Sequence, residues 1–419
     1  MVIATLGGSG TRLYPLTLFQ SKPLIPLVNY PIFMRMLEVL ARQGIRNFIF
    51  STKGIENTLR LKDVFRYGAD FSARLNLTQR VQFMYQPNYN DSGNADAVRY
   101  TMEYYGVKDE VMVVSGDNIV EINVEGMVSF HKSKNALATV LLKDLPAGEE
   151  ISHFGVAEIE GDDRITRFVE KPKEGETSSR LINTAVYLFS PQILDILREM
   201  GDTAVDIGRD LIPYLISKGY PVYGFNCPGY WADVGTPDNF LKTALDIINQ
   251  KVENIRFRKE HEFSEGIWIH STTLSRFKER LCDIKKSAVV GGDCDIHPTA
   301  SIENSVIGDN CIIGEGVKIR NSVVMDFVNI ERNVTLNYCI VGRHATIGEE
   351  SIIDAEKIVE ITGKKERTPV VGDDVHIVKN SLLGAYKRIA PISHAHNILK
   401  TGKFIDLGYD EHNIYFIEK

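Results

Sequence analysis

The stretch Ile296–Ile319 reads IHPTASIENSVIGDNCIIGEGVKI, and isoleucine returns in it about every sixth residue. The beat residues are Ile296, Ile302, Ile307, Ile313, Ile319, Ile330, Leu336, Ile347 and Ile353. Small side chains recur four places after a beat residue, at Ala300, Cys311, Val317 and Ser351. An α-helix cannot use a period of six, whereas a coil with three flat sides can place small residues at its inward corners. The pattern therefore predicts a repetitive coil in the second half of the chain.

The beat resembles the hexapeptide repeat of left-handed parallel β-helices, which implies such a β-helix for residues 287–395. It breaks at Glu356–Pro369, where we expect a protruding loop, and resumes in VVGDDVHI (370–377). Residues 251–286 are charged and mixed, so we predict a connector in which GIWI (266–269) is an isolated strand. The remaining residues, 396–419, form a C-terminal tail without a readable pattern.

The first half, residues 1–250, alternates strand-like and helix-like segments. Met1–Leu6 and EVMVVSGDN (110–118) are apolar runs typical of buried strands. Pro31–Gln43 has the spacing of an amphipathic helix, and FGVAEIEGDDRITRFVEKP (154–172) predicts two strands around a turn. Thr236 followed by Pro237 predicts the start of the last helix. This alternation predicts an α/β fold with a Rossmann-like, doubly wound and mostly parallel sheet, which binds ligands beyond the carboxyl ends of its strands.

Composition narrows the class of protein. The chain has 419 residues, which favours two domains, and a formal net charge of −7, which argues against general nucleic-acid or anionic-membrane binding. Its five cysteines form no CxxC pair, a pattern that suits reduced thiols in the cytoplasm better than a disulfide framework. Neither a signal peptide nor a membrane-spanning run is apparent, so we expect a cytoplasmic protein.

A glycine-rich segment, GGSGTRLYPLTLFQSKPL (7–24), follows the first apolar run. Gly7, Gly8 and Gly10 leave backbone N–H groups open to an anion, because no Cβ obstructs its approach. Arg12 and Lys22 add charges suited to phosphate oxygens. The segment lacks both the P-loop Lys-Ser/Thr pair and the GxGxxG spacing, so taken alone it is equally compatible with a tight turn beside surface charges.

Together with later motifs, this segment resembles the signature of sugar-1-phosphate nucleotidyltransferases, and most closely that of glucose-1-phosphate adenylyltransferases. The matching motifs are, in order, GNADAV (93–98), SGDN (115–118), FGVAEI (154–159), FVEKP (168–172), NTAVYLF (183–189), DIGRDLIP (206–213) and WADVGT (231–236). The resemblance covers residues 1–250, and some members of the family also carry a hexapeptide coil. It implies attack of a sugar 1-phosphate on the α-phosphorus of a nucleoside triphosphate, which releases pyrophosphate.

The resemblance also assigns roles to residues. The catalytic groups are Arg12, Lys22 and Asp117, and Asp117 and Asp233 would bind Mg²⁺. The nucleotide would contact Leu6, Gly7, Gly8, Gly10, Thr11, Gln86, Gly93 and Asn94. The sugar phosphate would contact Gly155, Glu170, Lys171 and Asn183. Gln86 offers a donor and an acceptor, which suits uracil, thymine or adenine better than guanine.

The sequence does not decide between several substrates and activities. Asn94 stands where the family usually has Thr. Ala185 stands where the family usually has Gly, and its methyl group could narrow the sugar pocket. Mannose-1-phosphate guanylyltransferase is the main alternative to a glucose 1-phosphate enzyme, and a non-catalytic relative is another. Acyl transfer by a coil histidine, His344 or His376, is a further alternative.

We read the pair His394 and His396 as surface residues. For the coil we expect contacts in a homo-oligomer, a dimer or tetramer, with residues 1–250 retaining some activity alone.

Overall fold

The computed structural model describes residues 1–7, 10–87, 91–257, 261–277, 282–356, 368–377, 379, 382–383, 388–389, 398–399, 405–410 and 413–418. Among the predicted features, Gly8, residues 357–367 of the loop, and His394 and His396 lie outside the described residues.

The described chain contains nine α-helices and many short strands. The helices are α1 Ile32–Arg42, α2 Ile55–Phe65, α3 Ala69–Arg74, α4 Asn94–Tyr105, α5 Val124–Ser133, α6 Ile193–Met200, α7 Ile212–Ser217, α8 Pro237–Ile248 and α9 Ser271–Leu274. Shorter helical turns lie at Thr11–Leu13, Lys22–Leu24, Gly201–Thr203 and Ile207–Leu211. The strands up to residue 233 are β1 Val2–Thr5, β2 Pro26–Leu27, β3 Tyr30–Pro31, β4 Asn47–Ser51, β5 Gln82–Tyr85, β6 Val111–Ser115, β7 Asn118–Val120, β8 Ala138–Asp144, β9 Gly155–Glu160, β10 Arg164–Glu170, β11 Leu181–Phe189, β12 Val222–Asn226 and β13 Trp231–Asp233.

The later strands are mostly two or three residues long. They are β14 Glu262–Ser264, β15 Ile267–Ile269, β16 Asp283–Val290, β17 Asp295–Ile296, β18 Ser301–Ile307, β19 Ile312–Ile313, β20 Lys318–Arg320, β21 Val323–Val324, β22 Asn329–Ile330, β23 Thr335–Asn337, β24 Ile340–Val341, β25 Thr346–Ile347, β26 Ile352–Asp354, β27 Val370–Val371, β28 His376–Ile377, β29 Leu382–Leu383, β30 Arg388–Ile389, β31 Ile398–Leu399, β32 Ile405–Asp410 and β33 Asn413–Glu418.

The first compact unit, Met1–Gly8 with Ile32–Ala232, is built on a nine-stranded sheet ordered β5-β4-β1-β6-β11-β8-β12-β10-β9. Strands β5, β4, β1 and β6 pair in parallel, as do β8 and β12. Strands β10 and β11 run antiparallel to their neighbours, so the sheet is mixed and the prediction of a mostly parallel sheet was wrong. The short turn between β9 and β10 accounts for part of this, because a tight turn can join only antiparallel strands.

Helices pack on both faces of this sheet, since neighbouring side chains of a strand point in opposite directions. Ile49 of β4 belongs to a core that includes Val98 of α4. The next residue, Phe50, packs instead against Phe33 of α1 and Phe65 of α2, with ring centroids 5.2 and 5.4 Å away. The predicted alternation of strands and helices is therefore confirmed for this unit.

The second compact unit, Ser9–Pro31 with Asp233–Lys419, contains the β-helix. Its strands form three parallel ladders, β17-β19-β22-β25-β28-β31, β18-β20-β23-β26-β29 and β18-β21-β24-β27-β30. The beat residues point inward, and Ile302, Ile319 and Ile347 have no exposed surface. The repetitive coil predicted from the sequence is thus present.

Each regular coil is 17 residues long, as the pairs Ile296–Ile313 and Ile313–Ile330 show. Three sides of six residues each would make a coil one residue longer. The shorter side is the one that runs from Ile302 to Ile307. One coil is longer, because Thr346 pairs with His376, 30 residues later. That insertion includes the predicted loop.

Two predictions about the flanks of the β-helix need correction. Strand β15 is not isolated, because it pairs in parallel with β16, and Ile267 lies opposite Ala288. The buried side chains of β15 explain this pairing, since an apolar strand gains by joining an existing core. In the tail, β32 and β33 pair antiparallel, although the sequence showed no pattern there.

None of the described helices has the length and apolar character needed to cross a membrane. The predicted boundaries at 250, 286 and 395 stay predictions.

A ladder of amide side chains runs along one corner of the β-helix. Asn304 donates to Asn321 (Nδ2 to Oδ1, 2.8 Å), and Asn321 donates to Asn337 (Nδ2 to Oδ1, 3.5 Å). Asn337 in turn donates to Asp354 at 3.0 Å, and Asn249 donates to Asn304 at 2.8 Å. Because the contacts from Asn304 to Asp354 each join two coils, the ladder fixes the register of the stack.

Replacing Asn321 by Ala should lower the free energy of unfolding by about 1–2 kcal/mol more than Asn310→Ala does, because it breaks two amide contacts. Asn310 is a matched control, since both residues have a left-handed backbone (φ 48° and 56°). Denaturant titration of the two variants measures the difference. Equal losses would contradict a stabilising ladder.

Candidate functional site

Predicted site residues occur in both compact units, and each group is described within its own unit. In the first unit, Thr5 at the end of β1 lies opposite Ser115 at the end of β6. The Gly116 N–H donates to the Thr5 carbonyl at 3.3 Å. Leu6 and Asp117 therefore follow adjacent parallel strands at their carboxyl edge, where α/β sheets bind ligands. The Ser115 hydroxyl donates to the Asp117 carboxylate and orients it.

Gln86 follows β5 at the same edge, and its backbone N–H donates to the Phe50 carbonyl at 2.9 Å. Its side chain is only 1% exposed. The Gln86 side-chain oxygen accepts hydrogen bonds from the hydroxyls of Ser51 and Thr101. Its amide also interacts with Asp91 and partly offsets the rise that burial causes in the pKa of that carboxyl. Within the described residues the buried Gln86 Nε2 has no hydrogen-bond partner, so it is a donor that a ligand could use without breaking an existing hydrogen bond.

Gly93 and Asn94 begin α4 and are fastened to the loop before Ile207. A Cβ at Gly93 would lie 2.3 Å from the Val205 carbonyl oxygen, so only glycine fits. The Asn94 side chain donates to Asp206 at 2.9 Å and accepts from the Ile207 N–H at 2.7 Å. Asn94 thus uses both of its polar atoms within the protein.

Three of the predicted sugar contacts converge in the first unit. Gly155 of β9 pairs with Glu170 of β10, and a Cβ at Gly155 would lie 2.7 Å from a Glu170 carboxylate oxygen. A Cβ at Gly208 would lie 3.0 Å from the same oxygen and 3.6 Å from Nδ2 of Asn183. Two glycines therefore leave space around the Glu170 carboxylate. Lys171 follows directly and is exposed.

Burial raises the pKa of Glu170, and the nearby Asp206 carboxylate raises it further, while Lys171 and Arg209 oppose the rise. Burial therefore deprives the charged Glu170 carboxylate of part of its hydration. Hydroxyl groups of a ligand would supply hydrogen-bond donors in place of that water.

A bulge in β11 orients Asn183. The register with β8 shifts between Asn183 and Tyr187, and Ala185 within the bulge has a left-handed backbone (φ 58°). The Ala185 N–H donates to Oδ1 of Asn183 at 3.0 Å, and Asn183 donates to the Tyr187 hydroxyl at 2.6 Å. This conformation is strained for Ala and easy for Gly.

In the second unit, the signature segment folds into a closed loop. Gly10 has φ 61°, and a Cβ there would lie 2.8 Å from Cγ2 of Thr17 and 3.4 Å from Cβ of Lys22. The Thr17 hydroxyl donates to the Gly10 carbonyl at 3.0 Å. Thr11 begins a helical turn that carries Arg12. The glycine is therefore required for the close approach of the two ends of this loop.

Arg12 and Lys22 both contact the carboxylate of Asp233. The Arg12 Nη2 and the Lys22 Nζ each lie 3.4 Å from an oxygen of Asp233. The Lys22 side chain is 8% exposed and that of Arg12 is 58% exposed. A Cβ at Gly235 would lie 2.8 Å from Nη2 of Arg12, so Gly235 makes room for this pair.

No group of three or more His, Cys, Asp or Glu side chains in the described part of the chain could hold a metal ion. Asp117 and Asp233 are hard oxygen donors, and Mg²⁺ is commonly bound by one or two carboxylates together with substrate phosphates. The donor chemistry therefore fits Mg²⁺ carried with a phosphate ligand.

Residue-level sequence reasoning missed Gly208, Asp206 and Gly235. All three lie in motifs that it had quoted, DIGRDLIP and WADVGT, but their roles depend on which side chains approach them. The histidines considered for acyl transfer do not form a comparable cluster. His344 stacks on Phe327 at 4.8 Å, and His376 is an exposed residue of β28.

Comparison with known proteins gives two family matches. The model for "Nucleotidyl transferase" matches residues 2–250, and that for "EIF2B subunit epsilon LbH domain" matches residues 273–377. A UTP–glucose-1-phosphate uridylyltransferase from Synechocystis is 27% identical over 61% of this chain and 65% of its own length. The chain thus spans slightly less than two thirds of that relative.

A mannose-1-phosphate guanyltransferase from Candida albicans is 30% identical over 92% of this chain and 94% of its own. A solved structure from Bacillus anthracis, described as a glucose-1-phosphate thymidylyltransferase in complex with sucrose, is 27% identical, with a TM-score of 0.51. That similarity covers 62% of this chain and 97% of the solved chain.

Replacing Ala185 by Gly should raise the free energy of unfolding by up to about 1 kcal/mol, because it relieves the left-handed strain. The control is Ala157→Gly in β9, a buried strand position where the same change should be destabilising. Denaturant titration compares them. A loss of stability in both variants would argue against strain at Ala185.

Replacing Glu170 by Gln should raise the melting temperature at pH 7. When the pKa of a carboxyl is higher in the folded protein than in the unfolded chain, the group stabilises the fold at pH values below its pKa in the unfolded chain. This stabilisation is lost as the pH rises through its pKa in the folded protein. The gain of Glu170→Gln should therefore vanish near pH 4. Melting curves from pH 4 to pH 8 test this, with Glu160→Gln at the exposed end of β9 as control. A gain that is independent of pH would contradict the assignment.

Proposed function

Because the chain belongs to the nucleotidyl transferase family, we propose that it transfers a nucleotidyl group from a nucleoside triphosphate to a sugar 1-phosphate, forming a nucleotide sugar and pyrophosphate. The observation that carries this proposal is the pair Arg12 and Lys22, whose side chains both contact the carboxylate of Asp233. A guanidinium and an ammonium so placed are suited to a triphosphate.

In this reaction the side chains of the protein need not form covalent bonds to the substrates. The attacking phosphate oxygen is already an anion at neutral pH, so no general base is required. Catalysis then depends on holding two polyanions together and stabilising charge at the α-phosphorus. We assign Arg12 to the triphosphate and the transition state, and Lys22 to the α-phosphate. Mg²⁺, bound by Asp117 and Asp233 with substrate phosphates, would supply further charge neutralisation.

The remaining assignments concern the two substrates. Leu6 and Gly7 would lie against the base, and Gly10, Thr11 and Gly93 would offer backbone N–H groups to the nucleotide.

The sugar hydroxyls would meet Gly155, Glu170 and Asn183, and Lys171 would hold the sugar phosphate. The raised pKa of Glu170 supports this, since sugar hydroxyls would donate hydrogen bonds to a carboxylate that burial has partly desolvated.

For the acceptor we propose glucose 1-phosphate, because GNADAV and DIGRDLIP resemble the adenylyltransferase branch. The alternative is mannose 1-phosphate with a guanylyl donor. It is favoured by the Candida albicans relative, whose similarity extends through the β-helix. Ala185, beside Asn183, is the residue that we expect to restrict the sugar.

We further propose that the β-helix is left-handed, as its hexapeptide pattern implies, and that it forms contacts in a homodimer or homotetramer. The exposed side chains of Ile312 and Phe327 on the β-helix support such contacts. The five cysteines are all buried and free of disulfides, which supports a reducing, cytoplasmic environment.

The proposed reaction is tested by pyrophosphate release. The purified chain is incubated with Mg²⁺, each of ATP, CTP, GTP, UTP and dTTP, and either glucose 1-phosphate or mannose 1-phosphate. We expect release with at least one pair and none in the presence of EDTA. Absence of release with every pair would refute the proposal.

Lys171→Ala should raise the KM for the sugar phosphate at least tenfold while leaving the KM for the triphosphate within about twofold, because it removes one charge from one substrate. Lys173→Ala is the matched control, since Lys173 is exposed on the same loop two residues later. Steady-state kinetics with each substrate varied in turn measures both constants. Equal increases in both would mean that Lys171 does not select the sugar phosphate.

A further inference from the structure

The chain segments that carry Arg12, Lys22 and Asp233 belong to the same compact unit as the β-helix. One segment runs from residue 9 to residue 31, and the other begins at Asp233 and continues into α8. Each of them touches the β-helix at more than one place.

The hairpin β2–β3 docks on the β-helix through its turn. Val28 and Asn29 form that turn, and both have left-handed backbones (φ 52° and 62°). A β-branched residue such as Val rarely adopts this conformation, so surrounding structure must hold it there. The Asn29 side chain donates to the carbonyl of Ile307, in β18, at 2.9 Å.

A second contact lies nearer to Arg12. The Pro15 ring packs against the backbone of Gly372, which follows β27. A Cβ at Gly372 would lie 3.0 Å from Cγ of Pro15 and 3.1 Å from its Cβ. Glycine at this place in the coil therefore leaves room for the signature segment.

Helix α8, which follows Asp233, is fastened at both ends. In its first turn, the Asp238 carboxylate accepts a hydrogen bond from the Thr368 N–H. Just after its last turn, Asn249 donates to Asn304 at 2.8 Å and accepts from the Ser287 hydroxyl at 2.9 Å. Between these ends, α8 packs on β16 and β18.

We infer that the β-helix is a positioning element for catalysis: through Ile307, Thr368 and Gly372 it holds Arg12, Lys22 and Asp233 in their mutual arrangement. This inference rests on the proposed function. A flexible loop bearing Arg12 and Lys22 would hold a triphosphate less well and align it poorly, and a displacement of about 1 Å can cost on the order of a hundredfold in rate. Residues 1–250 alone would lack these supports, contrary to the activity expected from the sequence.

The test removes two anchors in the full-length chain without touching the cations. Asn29→Gly deletes the amide donor but keeps a residue that tolerates the left-handed turn, and Asp238→Ala deletes the acceptor for Thr368. Together they should lower kcat at least tenfold, while the KM for the sugar phosphate stays within about twofold, because its proposed ligands lie elsewhere. Each single variant should show a smaller loss, which keeps the test valid if the double variant does not fold.

Two controls separate positioning from stability. Asp238→Asn keeps a side-chain oxygen for the Thr368 N–H and should retain a near-normal kcat. Glu56→Ala removes an exposed first-turn acid from α2, in the other unit, and should not change kcat. Unchanged kcat in folded Asn29→Gly and Asp238→Ala proteins, or failure of Asp238→Asn to rescue, would overturn the inference.

A second readout does not depend on turnover. Amide hydrogen exchange of residues 11–24 should accelerate in the anchor variants, and their affinity for inorganic tripolyphosphate, measured by calorimetry, should fall at least fivefold. If the wild-type chain shows no turnover with any substrate pair, the proposed function fails, yet these two measurements still decide the positioning role. Unchanged exchange and unchanged tripolyphosphate affinity would refute it.

Discussion

The carboxylate of Asp233 joins parts of the chain that are more than 200 residues apart. Its partners, Lys22 and Arg12, precede it by 211 and 221 residues. The Lys22 side chain is almost fully buried, and a buried charge without a counter-ion is strongly destabilising. Asp233 therefore allows Lys22 to lie inside the protein, and the closed loop from Gly10 to Lys22 depends on that placement. Asp233 is thus one of the contacts that give the signature segment its shape, together with the hydrogen bond from Thr17 to Gly10.

The same contacts are long for ion pairs. Both nitrogen–oxygen distances are 3.4 Å, whereas close charge-assisted hydrogen bonds are nearer 2.7–2.9 Å. Asp233 therefore holds neither cation closely, and Arg12 is largely exposed. A phosphate oxygen can form shorter bonds to both, so a polyphosphate would gain more from these cations than Asp233 does. Under the proposed function, a phosphate ligand would approach both cations without first breaking a close ion pair to Asp233.

Much of this architecture can be predicted from sequence because it depends on local chemistry. The strands around Gly161, the helix capped by Thr236 and the inward isoleucines of the coil follow from turn residues, capping and periodicity. The Asp233 contacts, by contrast, join residues far apart in sequence, and only the family resemblance suggested grouping them. The antiparallel β11 and the pairing of β15 with β16 were not predictable, because strand order depends on packing between distant segments. The hydrogen bond from Asn94 to Asp206 could not be predicted for the same reason.

Solenoid proteins ordinarily gain or lose whole repeats with little consequence, since each repeat contacts only its neighbours. In this chain the coil that receives Asn29 and the coil that receives Pro15 are separated by three steps of one ladder, from Ile307 through Val324 and Val341 to Val371. With strands about 4.8 Å apart, that distance is about 14 Å. The β-helix therefore fixes the distance between Pro15 and Asn29, two residues of the same segment. Duplication or deletion of a coil inside that interval would mismatch the two anchors, whereas added coils beyond Ile389 would leave them untouched.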